Sequence, residues 1–221
     1  MQTKSKKRSP TNITATAERR PTFKAVSQEQ ADAYDICKRN DIVFITGPAG
    51  CSKTYTAIAY AIDHMLVDPD RRLVLTRPAV EACGEELGAL PGGVAEKMQP
   101  FMHPLTDTIR EYAGELKIQH EVVAMAHLRG RTLKNTVLVV DEAQNANLRQ
   151  LKLILTRIGN GSKIILCGDG DQADIRDSGL MKAAAVLKDI SGIAHFHFSE
   201  VASGIRHPLI PKMLAAWEKL Q

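Results

Sequence analysis

The stretch Asp41-Ile-Val-Phe-Ile-Thr-Gly-Pro-Ala-Gly-Cys-Ser-Lys-Thr54 constrains the fold of this chain more than any other. Ile42 to Ile45 is an apolar, β-rich run of strand length, and Thr56 to Leu66 is Ala-rich and helical in character. A strand, a glycine turn and a helix in that order aim backbone N–H groups and the positive end of the helix dipole at one point, where an anion is held. On this reading Gly47, Pro48, Ala49 and Gly50 form the turn, and Cys51 and Ser52 lead into the helix. Lys53 neutralises β/γ-phosphate charge, the Thr54 hydroxyl ligates Mg²⁺, and Tyr55 completes the contact stretch. A strand-to-helix turn with no ligand is the competing reading. The spacing G-x-x-x-x-G-K-[ST] calls for glycine before the lysine, and this chain has Ser52. Serine fits if that position takes an ordinary negative φ in the first helical turn, where it keeps its N–H for a phosphate.

With 221 residues, 44% hydrophobic and 24% charged, the chain suits one α/β domain over 25–221 plus a tail. The tail, residues 1–24, carries Lys4, Lys6, Lys7, Arg8, Arg19 and Arg20 against Glu18 alone, with no apolar periodicity. It is expected to be a disordered basic arm that is either solvated or in contact with nucleic acid. No apolar run reaches about 18 residues and no signal-peptide core is present, so a cytoplasmic protein without a membrane span is expected. Cys37, Cys51, Cys83 and Cys167 show no paired spacing and are expected as reduced thiols. Cys51, at a helix start, is either an acidified thiol or a small loop filler.

Along the chain, Ser27-Gln-Glu-Gln30 opens a helix that ends near Arg39 as a capping box. Gln30 is therefore either that cap or an amide that reads an adenine edge. Arg72 to Thr76 predicts a strand, and 79–93 a functional loop at its C-terminal end, where open α/β sheets place ligands. Residues 94–113 predict two short helices broken at Pro100 and Pro104. Glu121 to Ala124 predicts a short strand, and Arg129 and Arg131 flank Gly130 in a loop suited to phosphate contacts or plain solvation.

Thr136 to Val140 is the clearest buried strand, and it ends in Asp141-Glu-Ala-Gln-Asn145. A carboxylate there, on the same sheet edge as the glycine turn, holds Mg²⁺ from its other side while Glu142 polarises water. Acids favoured by a helix dipole are the alternative. Asn147 to Ile158 predicts a helix, and Lys163 to Cys167 a strand that leads to Gln172, read as a γ-phosphate sensor or a polar turn. Ser178 to Asp189 predicts a helix. His195 and His197 lie on an edge strand as surface residues, and Arg206 precedes a last helix and is a candidate for stabilising phosphoryl charge. Strands alternating with helices predict a mainly parallel sheet covered on both faces.

Several of these stretches, in order, resemble the PhoH-like ATPases. They are Gly47-Pro-Ala-Gly50 with Lys53-Thr54, Leu75-Thr-Arg-Pro-Ala-Val-Glu-Ala82, Leu87-Gly-Ala-Leu-Pro-Gly92, Arg129-Gly-Arg-Thr-Leu133, Asp141-Glu-Ala-Gln-Asn145, Leu155-Thr-Arg-Ile-Gly159, Gly168-Asp169 with Gln172, and Ile205-Arg-His-Pro-Leu209. The resemblance runs from about residue 27 to the C-terminus. It implies a RecA-like P-loop core similar to one lobe of superfamily 1 helicases, with ATP and Mg²⁺ as ligands. It further implies that Lys53 binds the β/γ-phosphates, Thr54 and Asp141 hold Mg²⁺, and Glu142 activates water. Gln172 reports the γ-phosphate, Gln30 reads adenine, and Arg206 matches a late arginine motif. The departures are Cys51-Ser52 in place of Thr-Gly, and Cys83 inside the Ala-Val-Glu-Ala segment; the first bears on turnover more than on binding.

The expected activity is Mg²⁺-dependent ATP hydrolysis by a homo-oligomer, a ring such as a hexamer, acting on single-stranded RNA or DNA. Two such lobes make a monomeric helicase and this length supplies one, so Arg206 or Arg157 would reach a neighbour's ATP. With 5% aromatic residues, nucleic-acid contacts should be mainly to phosphates. The alternatives are a nucleotide-gated binding module with little turnover and an interaction protein that no longer uses the site.

Overall fold

Apolar side chains alternate along the central strands of this computed structural model, and the alternation divides them between two cores. Val43, Ile45, Leu73, Leu75, Val137, Val139, Ile165 and Cys167 pack on one face. Ile42, Phe44, Val74, Leu138, Val140, Ile164 and Leu166 pack on the other. Because successive strand residues point to opposite faces, a strand apolar throughout must be covered on both sides. The structure describes residues 20–68, 70–78, 94–170 and 172–199, with 209, 212, 213 and 216.

The strands are β1 (Ile42–Thr46), β2 (Arg72–Thr76), β3 (His120–Val122), β4 (Thr136–Val140), β5 (Lys163–Gly168) and β6 (Ile193–His197). They form one sheet in the order β3-β2-β4-β5-β1-β6, and every pairing is parallel. The C-terminal ends of β1, β4 and β5 therefore lie side by side, which brings the glycine turn, Asp141 and Gly168 to one edge. Helices α1 (Gln28–Arg39), α2 (Lys53–Val67) and α3 (Val94–Ala113) cover the first face. Helices α4 (Leu148–Leu155) and α5 (Leu180–Leu187) cover the second. This is the RecA-like α/β architecture expected, with helices on both faces.

Local chemistry accounts for most boundaries. Ser27 caps α1 by accepting the Gln30 N–H at 3.2 Å, and Asn147 with Gln150 forms a reciprocal capping box on α4. The expectation of two helices over 94–113 is corrected: α3 is one 20-residue helix that runs through both prolines. Met102, Leu105, Ile109 and Tyr112 recur at helical spacing and are all buried, so packing overrides a local helix breaker. Pro104 lies on the exposed side, where a missing N–H costs least. Three helices are held together by one carboxylate: Asp63 of α2 accepts the Tyr34 hydroxyl of α1 at 2.5 Å and the Tyr112 hydroxyl of α3 at 2.7 Å.

Phe23 stacks on Tyr34 with ring centroids 4.2 Å apart. The arm expected over 1–24 falls outside the described residues up to 19. The loop over 79–93 with Cys83, and Arg206, lie outside them too, and of the last helix expected only 209, 212, 213 and 216 are described, all helical. Among the described residues no helix is long and apolar enough to cross a membrane.

Candidate functional site at the strand ends

The turn after β1 is held open by close backbone packing. Gly47 has φ 140°, and a Cβ there would lie 2.6 Å from the Phe198 carbonyl oxygen, so only glycine fits. Ser52 corrects an expectation. It does not take a negative φ but sits in the left-handed region at φ 70°, ψ 23°, the conformation that glycine adopts freely. Its hydroxyl caps nothing, while its carbonyl accepts the Thr56 N–H and hydroxyl, each at 2.9 Å. The backbone thus keeps the shape of the glycine-containing pattern, with a serine strained into it.

The Lys53 ammonium donates to the carbonyls of Gly47 at 2.7 Å and Pro48 at 2.8 Å. Thr54 donates its hydroxyl to Asp141 Oδ1 at 2.7 Å, joining the start of α2 to the end of β4. Asp141 is 6% exposed. Burial raises its carboxyl above the ordinary range, against the Thr54 hydroxyl, which pulls it down. A desolvated carboxylate beside a hydroxyl is a hard-oxygen pair that a small divalent cation would relieve. Mg²⁺ characteristically takes one or two protein oxygens and completes its shell with phosphate and water. Among the described residues no three His, Cys, Asp or Glu side chains converge, which is compatible with that sparse mode.

Glu142 is also left-handed, at φ 50°, ψ 39°, which turns its side chain off the strand axis. One oxygen pairs with Arg77 at 3.2 Å and the other accepts the Gln144 amide at 2.6 Å. The sequence alone marked neither Arg77 nor Gln144 as a partner of this carboxylate. Arg131, offered for phosphate contacts, instead forms a bidentate pair with Glu121, both bonds 2.9 Å. Cys51 is buried, and burial pushes its thiol up despite the nearby Lys53, so the loop-filler reading fits. Cys37 and Cys167 are free, buried thiols as well.

A cavity of about 470 Å³ opens on this edge. Ala49, Gly50, Ser52, Lys53, Thr54 and Tyr55 line it from the turn, Asp141 and Glu142 from β4, and Gln172 from beyond β5. Its size is that of a small-molecule site. Thr108 and Glu111 of α3 also line it, and Tyr55 meets Tyr112 edge to face at 6.0 Å. That helix wall was not foreseen, since nothing local in 94–113 marks it. Gly47 and Pro48 contribute only carbonyls to Lys53. Gln30 is not brought in: it is buried, and its Oε1 accepts the Val26 N–H at 2.8 Å. A larger hollow of about 670 Å³, between α3 and residues 114–122, is lined by none of the residues of the glycine turn or of the β4 end. His195 and His197 are not a metal pair; a ring nitrogen of each meets the buried Thr46 hydroxyl, at 2.7 and 2.9 Å.

Known proteins share this arrangement of chain and fold. A PhoH-like protein from Synechocystis is 40% identical over 94% of this chain and 66% of its own length. One from Bacillus subtilis is 41% identical over 82% of this chain and 60% of its own. The chain thus spans less than two thirds of either relative. The large terminase of a thermophilic bacteriophage superposes with a TM-score of 0.58 at 12% identity, over 86% of this chain and 50% of that one, a likeness of fold. The family described as PhoH-like protein matches residues 22–218, and with its P-loop fold the chain belongs to that family.

Proposed function

We propose that the chain is a Mg²⁺-dependent ATPase that works as a homo-oligomer on single-stranded RNA or DNA. The observation that carries the reading is the cavity where a lysine, a threonine–aspartate pair, a second carboxylate and a glutamine meet at three adjacent strand ends. Lys53 exchanges its two carbonyl partners for β- and γ-phosphate oxygens. Thr54 and Asp141 hold Mg²⁺, which supplies charge neutralisation and orientation of the phosphates when bound. Glu142 orients a water for in-line attack on the γ-phosphorus and takes its proton, and Gln172 senses the γ-phosphate. The loop N–H groups from Ala49 to Thr54 cradle the β-phosphate. Arg206 acts at the transferred phosphoryl across a subunit boundary, and Gln30, which does not line the cavity, would read adenine only by giving up its bond to the Val26 N–H.

Phosphate release, measured with and without single-stranded RNA or DNA, tests the reading. Wild type should turn over ATP and be stimulated. Glu142→Gln should bind ATP normally and lose most of its turnover, and Lys53→Ala should lose binding. Equal turnover in Glu142→Gln and wild type removes Glu142 from the mechanism. Light scattering with ATP present should give a mass that rises above the monomer with concentration; a constant monomer mass removes the oligomer.

A further inference from the structure

Gln144 is 2% exposed and wedged between the ends of β4 and β5. Its amide nitrogen donates to Glu142 Oε2 at 2.6 Å and approaches the Gln172 carbonyl at 3.5 Å. Its amide oxygen accepts the Asp169 N–H at 3.1 Å. Gly168 passes so close that a Cβ on it would lie 2.6 Å from that same oxygen. The adjacent Asn145 holds the same turn further along, exchanging two bonds of 2.8 Å with Asp174. Of the two, only Gln144 touches a carboxylate in the cavity. A side chain here must donate at one end and accept at the other without charge, which a primary amide does.

We propose that Gln144 is a positioning residue for hydrolysis. It holds the Glu142 carboxylate and the turn bearing Gln172 in one register, so that the water-orienting acid and the phosphate-facing amide move as a unit. Arg77 takes the other Glu142 oxygen, so the carboxylate is fixed from two sides and its plane is set. The inference rests on the reading of Glu142 as the base. Losing the amide leaves the Glu142 carboxylate held by Arg77 alone, so that it can pivot about that pair, and a misplacement of about 1 Å at such a group costs on the order of 100-fold in rate.

The test uses Gln144→Met, which fills similar space without donor or acceptor, and Gln144→Glu, which keeps the shape but faces Glu142 with an oxygen. Both should lower kcat about 10- to 100-fold while affinity for a non-hydrolysable ATP analogue stays within about twofold. Acting through Glu142 also requires non-additivity. Added to Glu142→Gln, either change should lower single-turnover hydrolysis by less than about twofold. Should Gln144→Met fail to fold by circular dichroism, Gln144→Glu carries the same cycle. Wild-type kcat in a folded Gln144 variant overturns the inference, as does the full loss reappearing on the Glu142→Gln background. Wild-type turnover in Glu142→Gln overturns both this inference and the base assignment, whereas impaired Glu142→Gln beside an unimpaired Gln144→Met overturns this one alone.

Discussion

Replacing Ser52 with glycine should make the protein more stable, contrary to the usual effect of glycine at a helix start. Ser52 sits at φ 70°, ψ 23°, where an L-residue with a Cβ pays about 1–2 kcal/mol. Glycine removes that strain but adds freedom to the unfolded chain worth about 0.5–1 kcal/mol. Nothing else changes, because the serine hydroxyl caps no N–H, and the carbonyl that Thr56 binds twice is backbone. The net expectation is a gain of about 0.5–1 kcal/mol. For a chain of this length that is about 1–4 °C in Tm, or a higher urea midpoint at unchanged slope. Ser52→Ala is the control: it keeps the Cβ and should leave stability within about 0.5 kcal/mol of wild type. Glycine no more stable than alanine would mean that the left-handed conformation carries no strain here, and the account of how serine replaces glycine in this loop would be wrong.

Two further outcomes follow from buried polar groups. Asp63→Ala leaves the Tyr34 and Tyr112 hydroxyls without their acceptor and should cost about 2–3 kcal/mol by urea unfolding, with the Tyr34→Phe/Tyr112→Phe pair recovering part of the loss; no recovery would show that the carboxylate acts otherwise. The His64 imidazole is pushed down to about 4, first by burial and then by the charges of Arg71 and Lys163, whereas an unfolded histidine titrates near 6.5. Between those values the unfolded chain takes up a proton that the folded chain refuses, so stability is whole above pH 6.5 and falls as pH drops towards 4. Since the ring is half-exposed, the expected loss between pH 7 and 5 is about 1 kcal/mol, and it should disappear in His64→Phe, which keeps the stack on Tyr60; an unchanged pH dependence in that variant refutes it.

The sequence carried the central strands, the glycine turn and the carboxylate-bearing end of β4 plainly, because all are local signals. Ile42 to Ile45 and Val137 to Val140 are continuous apolar runs, the first followed by a turn with Gly47 and Gly50 and the second by Asp141 and Glu142. What stayed illegible is pairing across distance. Arg77 finds Glu142 because β2 and β4 are neighbours, and Gln144 reaches Asp169 because β4 and β5 are. Neither contact has a spacing that could announce it. The unbroken α3 eluded local reading for a related reason: two prolines argue for a break within one turn, while the burial of Met102, Leu105, Ile109 and Tyr112 is settled by elements elsewhere. Ser52 misled in the opposite direction, since the residue type suggested a backbone angle that the loop overrides.

Strand β1 lies between β5 and β6, the last two of the described strands in chain order, and Phe198 donates its N–H to the Thr46 carbonyl at 2.8 Å just before the glycine turn. On the ribosome, then, the turn that opens α2 is synthesised early but has no strand neighbours until most of the remaining chain has followed. The turn that opens α2 would thus set later than its place in the chain suggests, and a nascent chain halted before Phe198 should be readily cut around Gly47.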